Sequence, residues 1–270
     1  MLSSDAYRLL DVGGTFIKCA DGRQIPISSD GSAEVIADAI RKAIGPTDGL
    51  KGIGVAIPGP FDYKEGIFLM DHKFASVKGQ SFHSLAGLPS SFPIKFHHDV
   101  NVLLRGAIRM LGLYKQNSAL VTIGTGLGFT YAIHGAVQYN ALGSPAIHLW
   151  NKPYNGGILE DVVSARGIRI AYARKSGDGT QSAYGVAQKA YAGNADAIAV
   201  FENVGTLIGQ AVKEATKYIP LQTLFIGGQI GKSLSLMLPK MQAVLDGVKI
   251  EPAPADAVFE GLSSLFELNE

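Results

Sequence analysis

The chain has 270 residues, of which 47% are apolar, so it can bury a sizeable core as one large domain or two lobes. Its formal net charge of +1 offers no electrostatic footprint for nucleic acid or an anionic membrane. The single cysteine, Cys19, excludes an intramolecular disulfide and a multi-cysteine zinc site. Residues 1–8 lack an apolar signal core, and no segment has the roughly 20 uninterrupted apolar residues of a membrane span. We therefore expect a cytoplasmic protein.

The first predicted element is a glycine-tipped hairpin. A strand over residues 7–12 runs into the turn Gly13-Gly14, and a second strand covers residues 16–20. Ser32 is a suitable N-cap for a following helix, because apolar residues recur on one helical face after it. That face consists of Val35, Ile36, Ala39, Ile40, Ala43 and Ile44.

The strand and turn pattern then occurs a second time. Residues 51–62 and 92–101 are predicted strands that end in turn-forming or polar residues, and a helix is predicted from about Val102. From residue 119 to 135 an apolar strand, a glycine-rich turn and another apolar strand repeat the opening hairpin. The repeat predicts two related lobes, joined near residues 113–117.

The second lobe is predicted to begin with its hairpin and an irregular Asn-, Pro- and Gly-rich loop over residues 140–157. A long buried helix is predicted over residues 196–219, followed by a strand over 223–226. A last helix is predicted over about 256–266. The predicted domains are an N-terminal α/β lobe and a larger C-terminal α/β lobe, the last helix packing back on the first lobe. Their bounds are 1–114, 115–255 and, for that helix, 256–270.

The first turn combines an acid with bare backbone. Gly13 and Gly14 allow successive N–H groups to approach phosphate oxygens, and Thr15 adds a hydroxyl donor. Asp11 is too negative to contact phosphate directly but is suited to hold Mg²⁺ through water, since Mg²⁺ keeps much of its hydration shell. The alternative interpretation is an ordinary hairpin with a turn glycine pair.

The second turn, over residues 122–128, offers the same bare N–H groups and a hydroxyl. It is not a dinucleotide-binding fingerprint, because a strand rather than a helix follows it. Read alone, this turn also fits a plain hairpin. Its position matching the first turn favours two contacts to one phosphate chain.

Asp99 is the candidate general base. A carboxylate at the end of a strand, beside a helix N-terminus, is well placed to orient a hydroxyl and accept its proton. The alternative role for Asp99 is helix N-capping. His97 and His98 precede it, but no Cys, His or Glu set at ligand spacing accompanies them, so no metal site is assigned there.

With these residues in view, the sequence resembles the ROK family, the repressors, open reading frames and sugar kinases of the actin-like ATPase superfamily. The resemblance runs nearly end to end. The matching segments are the first phosphate motif at 11–15 with Lys18, the substrate-side turn at 52–59, the catalytic Asp at Asp99, the second phosphate motif at 122–128, the end of the sugar-binding region at 157–160, and the turn beside adenosine at 226–228.

The resemblance implies an α/β, two-lobed actin-like ATPase fold of the ribonuclease H-like kind with a cleft between the lobes. It implies ATP as co-substrate mostly on the C-terminal lobe, Mg²⁺ oriented by Asp11 through water, and a hexose between the lobes. Asp99 would accept the proton of the sugar hydroxyl, commonly the one at C6, as it attacks the γ-phosphorus. A homodimer is also implied, because dimers are common in the family.

The implied roles can be carried over residue by residue. The phosphate- and nucleotide-binding residues are Asp11, Gly13, Gly14, Thr15, Lys18, Thr122, Gly124, Thr125, Gly126, Gly227 and Gly228. The substrate-binding residues are Gly59, His98, Asn101, His148 and Glu160.

The sequence departs from the family on the sugar side. Ala146 falls near the expected Glu of a sugar-gripping motif, and His148 stands near the motif's His. The interval to Glu160 is too short for the family's zinc loop, so no zinc is expected. His98 replaces the usual Asn before the catalytic Asp. Losing an acceptor for a sugar hydroxyl removes about 1–3 kcal/mol of binding.

Three interpretations follow from these departures: a kinase for a different sugar, a kinase that uses another residue of the 140–155 loop, or a sugar-binding protein without activity. Because both turns, Asp11 and Asp99 are retained, a working sugar kinase is favoured. The rival class is a non-catalytic sugar or nucleotide sensor. It would act without a DNA-binding module, since the first motif already begins at residue 11 and the net charge gives no footprint for DNA. An acetate-kinase-like phosphotransferase is a third possibility, disfavoured by the short length and the match at 157–160.

Overall fold

A computed structural model describes residues 6–267, which fold as two compact units. The first unit contains residues 6–112, 139–145 and 254–267, and the second contains residues 113–138 and 146–253. Residues 1–5 of the predicted N-terminal lobe and 268–270 of the predicted last helix lie outside the described residues. Within the described part of the chain, no helix is both long and apolar enough to span a membrane.

The elements of the first unit up to residue 112 are β1 (Tyr7–Val12), β2 (Phe16–Cys19), β3 (Gln24–Pro26), α1 (Ala33–Ile44), β4 (Gly52–Ile57), β5 (Phe61–Asp62), β6 (Ile67–Phe68), a one-turn 3-10 helix (Ala75–Val77), α2 (Phe82–Ala86), β7 (Ile94–His98) and α3 (Asp99–Leu111).

The elements of the second unit are β8 (Ser118–Ile123), β9 (Leu127–Ile133), β10 (Ala136–Val137), β11 (Pro153–Tyr154), β12 (Gly157–Ile158), a one-turn 3-10 helix (Leu159–Asp161), α4 (Ala165–Ser176), α5 (Ala183–Tyr191), α6 (Ala195–Ala215), β13 (Thr223–Gly227), α7 (Gly228–Gly231), α8 (Leu234–Val244) and β14 (Lys249–Pro252). The chain then returns to the first unit as α9 (Ala257–Glu267).

Each unit is built on a five-stranded sheet, and the two sheets have the same strand order. The first is β3-β2-β1-β4-β7 and the second is β10-β9-β8-β13-β14. In each, the first three strands form an antiparallel meander and the last two run parallel to the first strand of the unit. The repetition of strand, turn and strand predicted at residue 119 is therefore confirmed by the pairing.

Helix α1 begins where its cap predicts. The Ser32 side chain accepts a hydrogen bond from the Val35 N–H at 3.4 Å, and the helix ends at Gly45. Five of the six predicted face residues are buried, but Val35 is 51% exposed. Because successive helical residues are about 100° apart, Val35 lies to one side of the stripe that contains Ile36 and Ile40.

Two other predicted elements need correction. Helix α3 begins at Asp99 rather than near Val102, so His98 occupies the N-cap position and Asp99 is the first helical residue. The predicted irregular loop at 140–157 contains β11 and leads into β12, which pair as a short hairpin. Strands of two residues are too short to produce a recognisable alternation, which is why the sequence pattern did not predict them.

Helix α9 packs against α3 in the first unit. The Arg109 guanidinium contacts Glu260 at 2.9 Å and Glu267 at 2.6 Å, and Arg105 Nε donates to Ser264 Oγ at 2.6 Å. Leu262 of α9 is fully buried beside Val102 of α3. These contacts fix the helix whose first residue is the candidate base.

Candidate functional site

The first hairpin turn is held from both sides. The Gly13 N–H donates to the Phe16 carbonyl at 3.0 Å and closes the turn, so this N–H is used by the protein itself. The Thr15 and Gly14 carbonyls accept hydrogen bonds from Ile27 at 2.9 Å and Ser29 at 3.1 Å. The turn therefore presents Gly14 and the exposed Thr15 in a fixed conformation.

Asp11 lies directly across the hairpin from Lys18, and Lys18 Nζ is 3.2 Å from Asp11 Oδ2. Burial raises the pKa of the Asp11 carboxyl, Lys18 opposes this shift, and the charge of Asp99 adds to it. The result is a pKa above the ordinary value. The charge of Asp99 thus reaches Asp11 within the first unit.

Asp99 is held by its own neighbours at the end of β7. Its Oδ1 accepts a hydrogen bond from the Val100 N–H at 2.8 Å and lies 2.8 Å from His98 Nδ1, although not in regular hydrogen-bond geometry. Burial acts to raise the pKa of Asp99, but His98, the Val100 N–H and Lys73 together lower it below its ordinary value. The side chain is 37% exposed. Asp99 is therefore an ionised, reachable hydrogen-bond acceptor.

Two further residues of the first unit, Tyr63 and Lys73, lie within electrostatic reach of this carboxylate, and the sequence did not single them out. The Tyr63 hydroxyl donates to the Ile57 carbonyl at 3.1 Å, and its ring centroid lies 5.8 Å from that of His98. Burial, together with the charge of Asp99, raises the pKa of Tyr63 well above its ordinary value, so the phenol stays neutral. Only the position of Tyr63 just after the predicted Pro/Gly turn could have indicated it.

Gly59, predicted to contact substrate, lies against the same group. A Cβ at this position would be 3.3 Å from the Tyr63 hydroxyl and 3.6 Å from the His98 ring. The structure therefore brings Gly59, His98 and Asp99 together around Tyr63.

A short strap, residues 139–145, completes this region of the first unit. Asn101 is fully buried, and its Nδ2 donates to the Gly143 carbonyl at 3.2 Å. The His97 and Tyr139 rings meet edge to face at 6.0 Å, and burial, Arg105 and His98 lower the pKa of His97 to about 4. The contact of Asn101 favours a role in positioning the strap over the direct sugar contact predicted for it.

The second turn lies in the second unit and is braced by a distant segment. The Gly124 N–H donates to the Gly126 carbonyl at 3.0 Å, and the Gly124 carbonyl accepts from Ala165 at 2.8 Å. Glu160 Oε2 accepts a hydrogen bond from the Leu127 N–H at 2.8 Å. Glu160, predicted to bind substrate, therefore contacts the turn, with Thr125 exposed near its apex.

The predicted adenosine-side glycines lie beside this turn. Gly227 pairs with Thr122 between β13 and β8. Gly228 has a φ of +82°, and a Cβ there would lie only 2.3 Å from the Ile123 carbonyl oxygen. Any residue with a side chain at Gly228 would displace the turn. Its positive φ disfavours such residues, and its closeness to the Ile123 carbonyl leaves no room for a Cβ. Thr122, Gly124, Thr125, Gly126, Gly227 and Gly228 are thus brought together in the second unit.

The predicted sugar residues are divided between the two units. Gly59, His98 and Asn101 belong to the first unit, whereas His148 and Glu160 belong to the second. His148 and Ala146 are both exposed. The assignment of His148 to the family motif stays a prediction.

The carboxylates of the first unit fit a magnesium ion that is held mainly by its nucleotide. Mg²⁺ is usually bound by one or two carboxylates, water and substrate phosphates rather than by a protein cage. Asp11 offers such a carboxylate at the end of β1. Among residues 6–267 no cluster of three or more His, Cys, Asp or Glu side chains is placed to hold a metal by itself.

Comparison with known proteins identifies the fold. The two five-stranded sheets of identical strand order are those of the actin-like ATPase fold, which this chain shares with solved sugar kinases. A family model described as ROK family matches residues 10–258, and the chain belongs to that family. A search of curated proteins found no match.

Three similar solved structures show the range of proteins with this fold. A ROK family glucokinase from Streptomyces griseus, in complex with glucose and AMPPNP, is 19% identical with a TM-score of 0.74 over 95% of this chain and 97% of that chain. A ROK family protein from Streptococcus pneumoniae in complex with sucrose is 20% identical, with a TM-score of 0.77 over 97% and 98%. A ROK family transcriptional regulator, a homologue of the E. coli MLC protein, is 17% identical, with a TM-score of 0.73 over 96% of this chain and 80% of that chain.

Proposed function

We propose that this protein is an ATP- and Mg²⁺-dependent kinase that phosphorylates a hydroxyl of a hexose or hexose derivative, of the glucokinase, fructokinase or N-acetylhexosamine-kinase type. The observation that carries the proposal is the placement of Asp99 at the start of α3, where the Val100 N–H holds its Oδ1 at 2.8 Å and 37% of its side chain is exposed. The membership in the ROK family and the fold shared with a glucokinase support it.

In the proposed reaction the sugar hydroxyl oxygen attacks the γ-phosphorus of ATP, the bond from that phosphorus to the bridging oxygen breaks, and ADP leaves. Asp99 orients the hydroxyl and takes its proton as the new bond forms. The lowered pKa keeps the Asp99 carboxylate ionised, and only the ionised form can accept that proton. His98 and the Val100 N–H keep the carboxylate in one orientation.

Magnesium, when bound with the nucleotide, would neutralise charge on the phosphates, and Asp11 is the residue proposed to hold it through water. Lys18 contacts Asp11 and fixes the direction of its carboxylate. Gly13, Gly14 and Thr15 are proposed to bind the transferred phosphate. The six residues gathered around the second turn are proposed to bind the rest of the nucleotide.

The proposed sugar contacts are Gly59 and His98, with His148 and Glu160 from the second unit. Asn101 is proposed to act indirectly, by holding Gly143. Since the neutral phenol of Tyr63 lies close to both Gly59 and His98, we add it to the sugar-side residues. Zinc is not part of the proposal. A homodimer is the expectation from the resemblance, and a cytoplasmic location is the expectation from the composition.

The second candidate function is a sensor that binds sugar or nucleotide without transfer. It is favoured by one observation, the fold shared with a transcriptional regulator. The exposed Ala146, which falls near the Glu expected from the resemblance, is consistent with either function.

The test is ADP release from ATP with Mg²⁺ against a panel of hexoses, amino sugars and N-acetylated amino sugars, repeated with polyphosphate as donor. Turnover with one sugar identifies the substrate. Asp99→Asn should lower kcat by about 10²–10⁴-fold while nucleotide affinity changes less than about twofold. Asp71→Asn is the matched control, because Asp71 is an exposed acid of the same unit that pairs with Lys78.

Two outcomes would contradict the proposal in different ways. An Asp99→Asn variant within about tenfold of the parent kcat would show that Asp99 is not the base. Silence across the panel with nucleotide binding intact would favour the sensor.

A further inference from the structure

The second turn carries no acidic residue of its own, yet a carboxylate lies against it. Glu160 comes from a segment 33 residues further along the chain, and its Oε2 accepts the Leu127 N–H at 2.8 Å. A Cβ at Gly126 would lie 2.9 Å from the same oxygen. The carboxylate therefore contacts the turn at the residues that follow its apex.

Glu160 is itself fixed by its backbone. The preceding Leu159 is buried in the core of the second unit, and its N–H donates to the Lys152 carbonyl at 2.8 Å. The Glu160 N–H donates to the Trp150 carbonyl at 3.1 Å. The segment from Glu160 to Ala165 therefore contacts the turn at two residues: Glu160 Oε2 accepts from Leu127, and the Ala165 N–H donates to the Gly124 carbonyl. Such a supported side chain can hold the turn in one conformation.

A carboxylate at this place has an electrostatic consequence. The turn is proposed to bind phosphate oxygens, and a fixed negative charge within a few ångströms repels them. A nucleotide that carries Mg²⁺ has much of its phosphate charge neutralised, so the repulsion is smaller. The same side chain can therefore support the turn and discriminate between two forms of the nucleotide.

We propose that Glu160 is a positioning residue of the second turn and that its charge makes the turn select nucleotide that carries its metal ion. The inference rests on the proposed function, because it requires that the turn bind a nucleotide. Besides the sugar contact predicted for it, Glu160 would then affect nucleotide binding through its hydrogen bond with Leu127.

The test is isothermal titration of the full chain with a non-hydrolysable ATP analogue, once with Mg²⁺ and once with EDTA. Glu160→Gln keeps an acceptor oxygen for the Leu127 N–H but removes the charge. Its affinity for the metal-loaded analogue should stay within about twofold, and its affinity for the metal-free analogue should rise about tenfold. Glu160→Ala also removes the hydrogen bond, so its affinity for the metal-loaded analogue should fall about fivefold.

Asp161→Asn is the matched control. Asp161 is the next residue, but its carboxylate accepts the Ile158 N–H at 3.1 Å and pairs with Arg166 instead of the turn. This variant removes the same charge from the same segment, so it should keep the parent ratio of metal-loaded to metal-free affinity.

The outcomes separate this inference from the function on which it rests. A parent protein that binds the analogue, with an unchanged ratio in Glu160→Gln, overturns the inference and leaves the proposed kinase intact. Equal shifts in Glu160→Gln and Asp161→Asn overturn it as well, since they would show a general charge effect. A parent protein that binds no nucleotide under either condition overturns both proposals.

Discussion

The two hairpin turns occupy the same place in two sheets of identical order, but they obtain their charged groups differently. Asp11 pairs with Lys18 across the first hairpin, whereas Thr122 pairs with Gly128 at the corresponding position of the second. The first turn thus carries an acid and a base on its own strands. The second carries neither and receives a carboxylate from Glu160.

This difference shows that the charged side chains around a turn do not follow from the sheet topology that places the turn. A meander followed by parallel strands places a bare turn at the end of the first strand in both units. The side chains around the turn are then supplied locally or from a distance. The comparison teaches that residues at matching positions of the two units should be tested for different properties.

The largest expected difference concerns the glycine that follows the fourth strand in the order of each sheet. Gly228 follows β13 with a φ of +82°, and a Cβ there would meet the Ile123 carbonyl oxygen at 2.3 Å. Gly59 follows β4, and its Cβ would meet the Tyr63 hydroxyl at 3.3 Å. Gly228→Ala should therefore lower the free energy of unfolding by about 3 kcal/mol, because it combines backbone strain with overpacking. Gly59→Ala should lower it by less than about 1 kcal/mol.

Urea unfolding followed by circular dichroism measures both variants. Gly179→Ala is the control, since a Cβ there would meet only the Ala173 Cβ at 4.0 Å. It should leave stability within about 1 kcal/mol of the parent, in either direction. Equal losses for Gly228→Ala and Gly59→Ala would show that the two glycines are equivalent in packing as well as in topology.

A second, smaller difference is the pH dependence of stability. The pKa of Asp11 is raised in the folded protein above its ordinary 3.8, chiefly by burial. The ionised carboxylate is thus disfavoured by folding, and stability is lost as pH rises from 3.8 through the raised folded pKa. Asp11→Asn should therefore be more stable than the parent at neutral pH, and the difference should shrink as the pH falls from the raised folded pKa towards 3.8 and be lost below 3.8.

Asp99→Asn should behave in the opposite sense. The pKa of Asp99 is lowered, so its stabilising contribution is present above the ordinary pKa and is lost as pH falls through the folded pKa. Thr122→Val, at the position matching Asp11, should give a stability offset that does not vary with pH. Unfolding measured from acid to neutral pH tests all three, and a pH-independent offset for Asp11→Asn would contradict the burial argument.

The first turn and Asp99 could be predicted from the sequence because their contacts are local. The hairpin register places Asp11 opposite Lys18 only seven residues away, and Asp99 is reached by reading a strand to its end. Other contacts, one in each unit, need pairings between residues far apart in sequence. The contact of Asn101 with Gly143 spans 42 residues and that of Glu160 with Leu127 spans 33. No periodicity or spacing encodes such a pairing, so its partners follow only from the packed structure.

The smallest expected effects concern the hydroxyls of the two turns, whose removal should change different kinetic constants. Thr15 and Thr125 are both exposed, so Thr15→Val and Thr125→Val should each leave the free energy of unfolding within about 0.5 kcal/mol of the parent. If the first turn binds the transferred phosphate, Thr15→Val should lower kcat about fivefold with little change in the KM for ATP, because its hydrogen bond matters most in the transition state. If the second turn binds the remainder of the nucleotide, Thr125→Val should raise the KM for ATP about fivefold with kcat unchanged. Steady-state kinetics with the sugar identified by the panel measures both, and the reverse assignment of kcat and KM would exchange the roles proposed for the two turns.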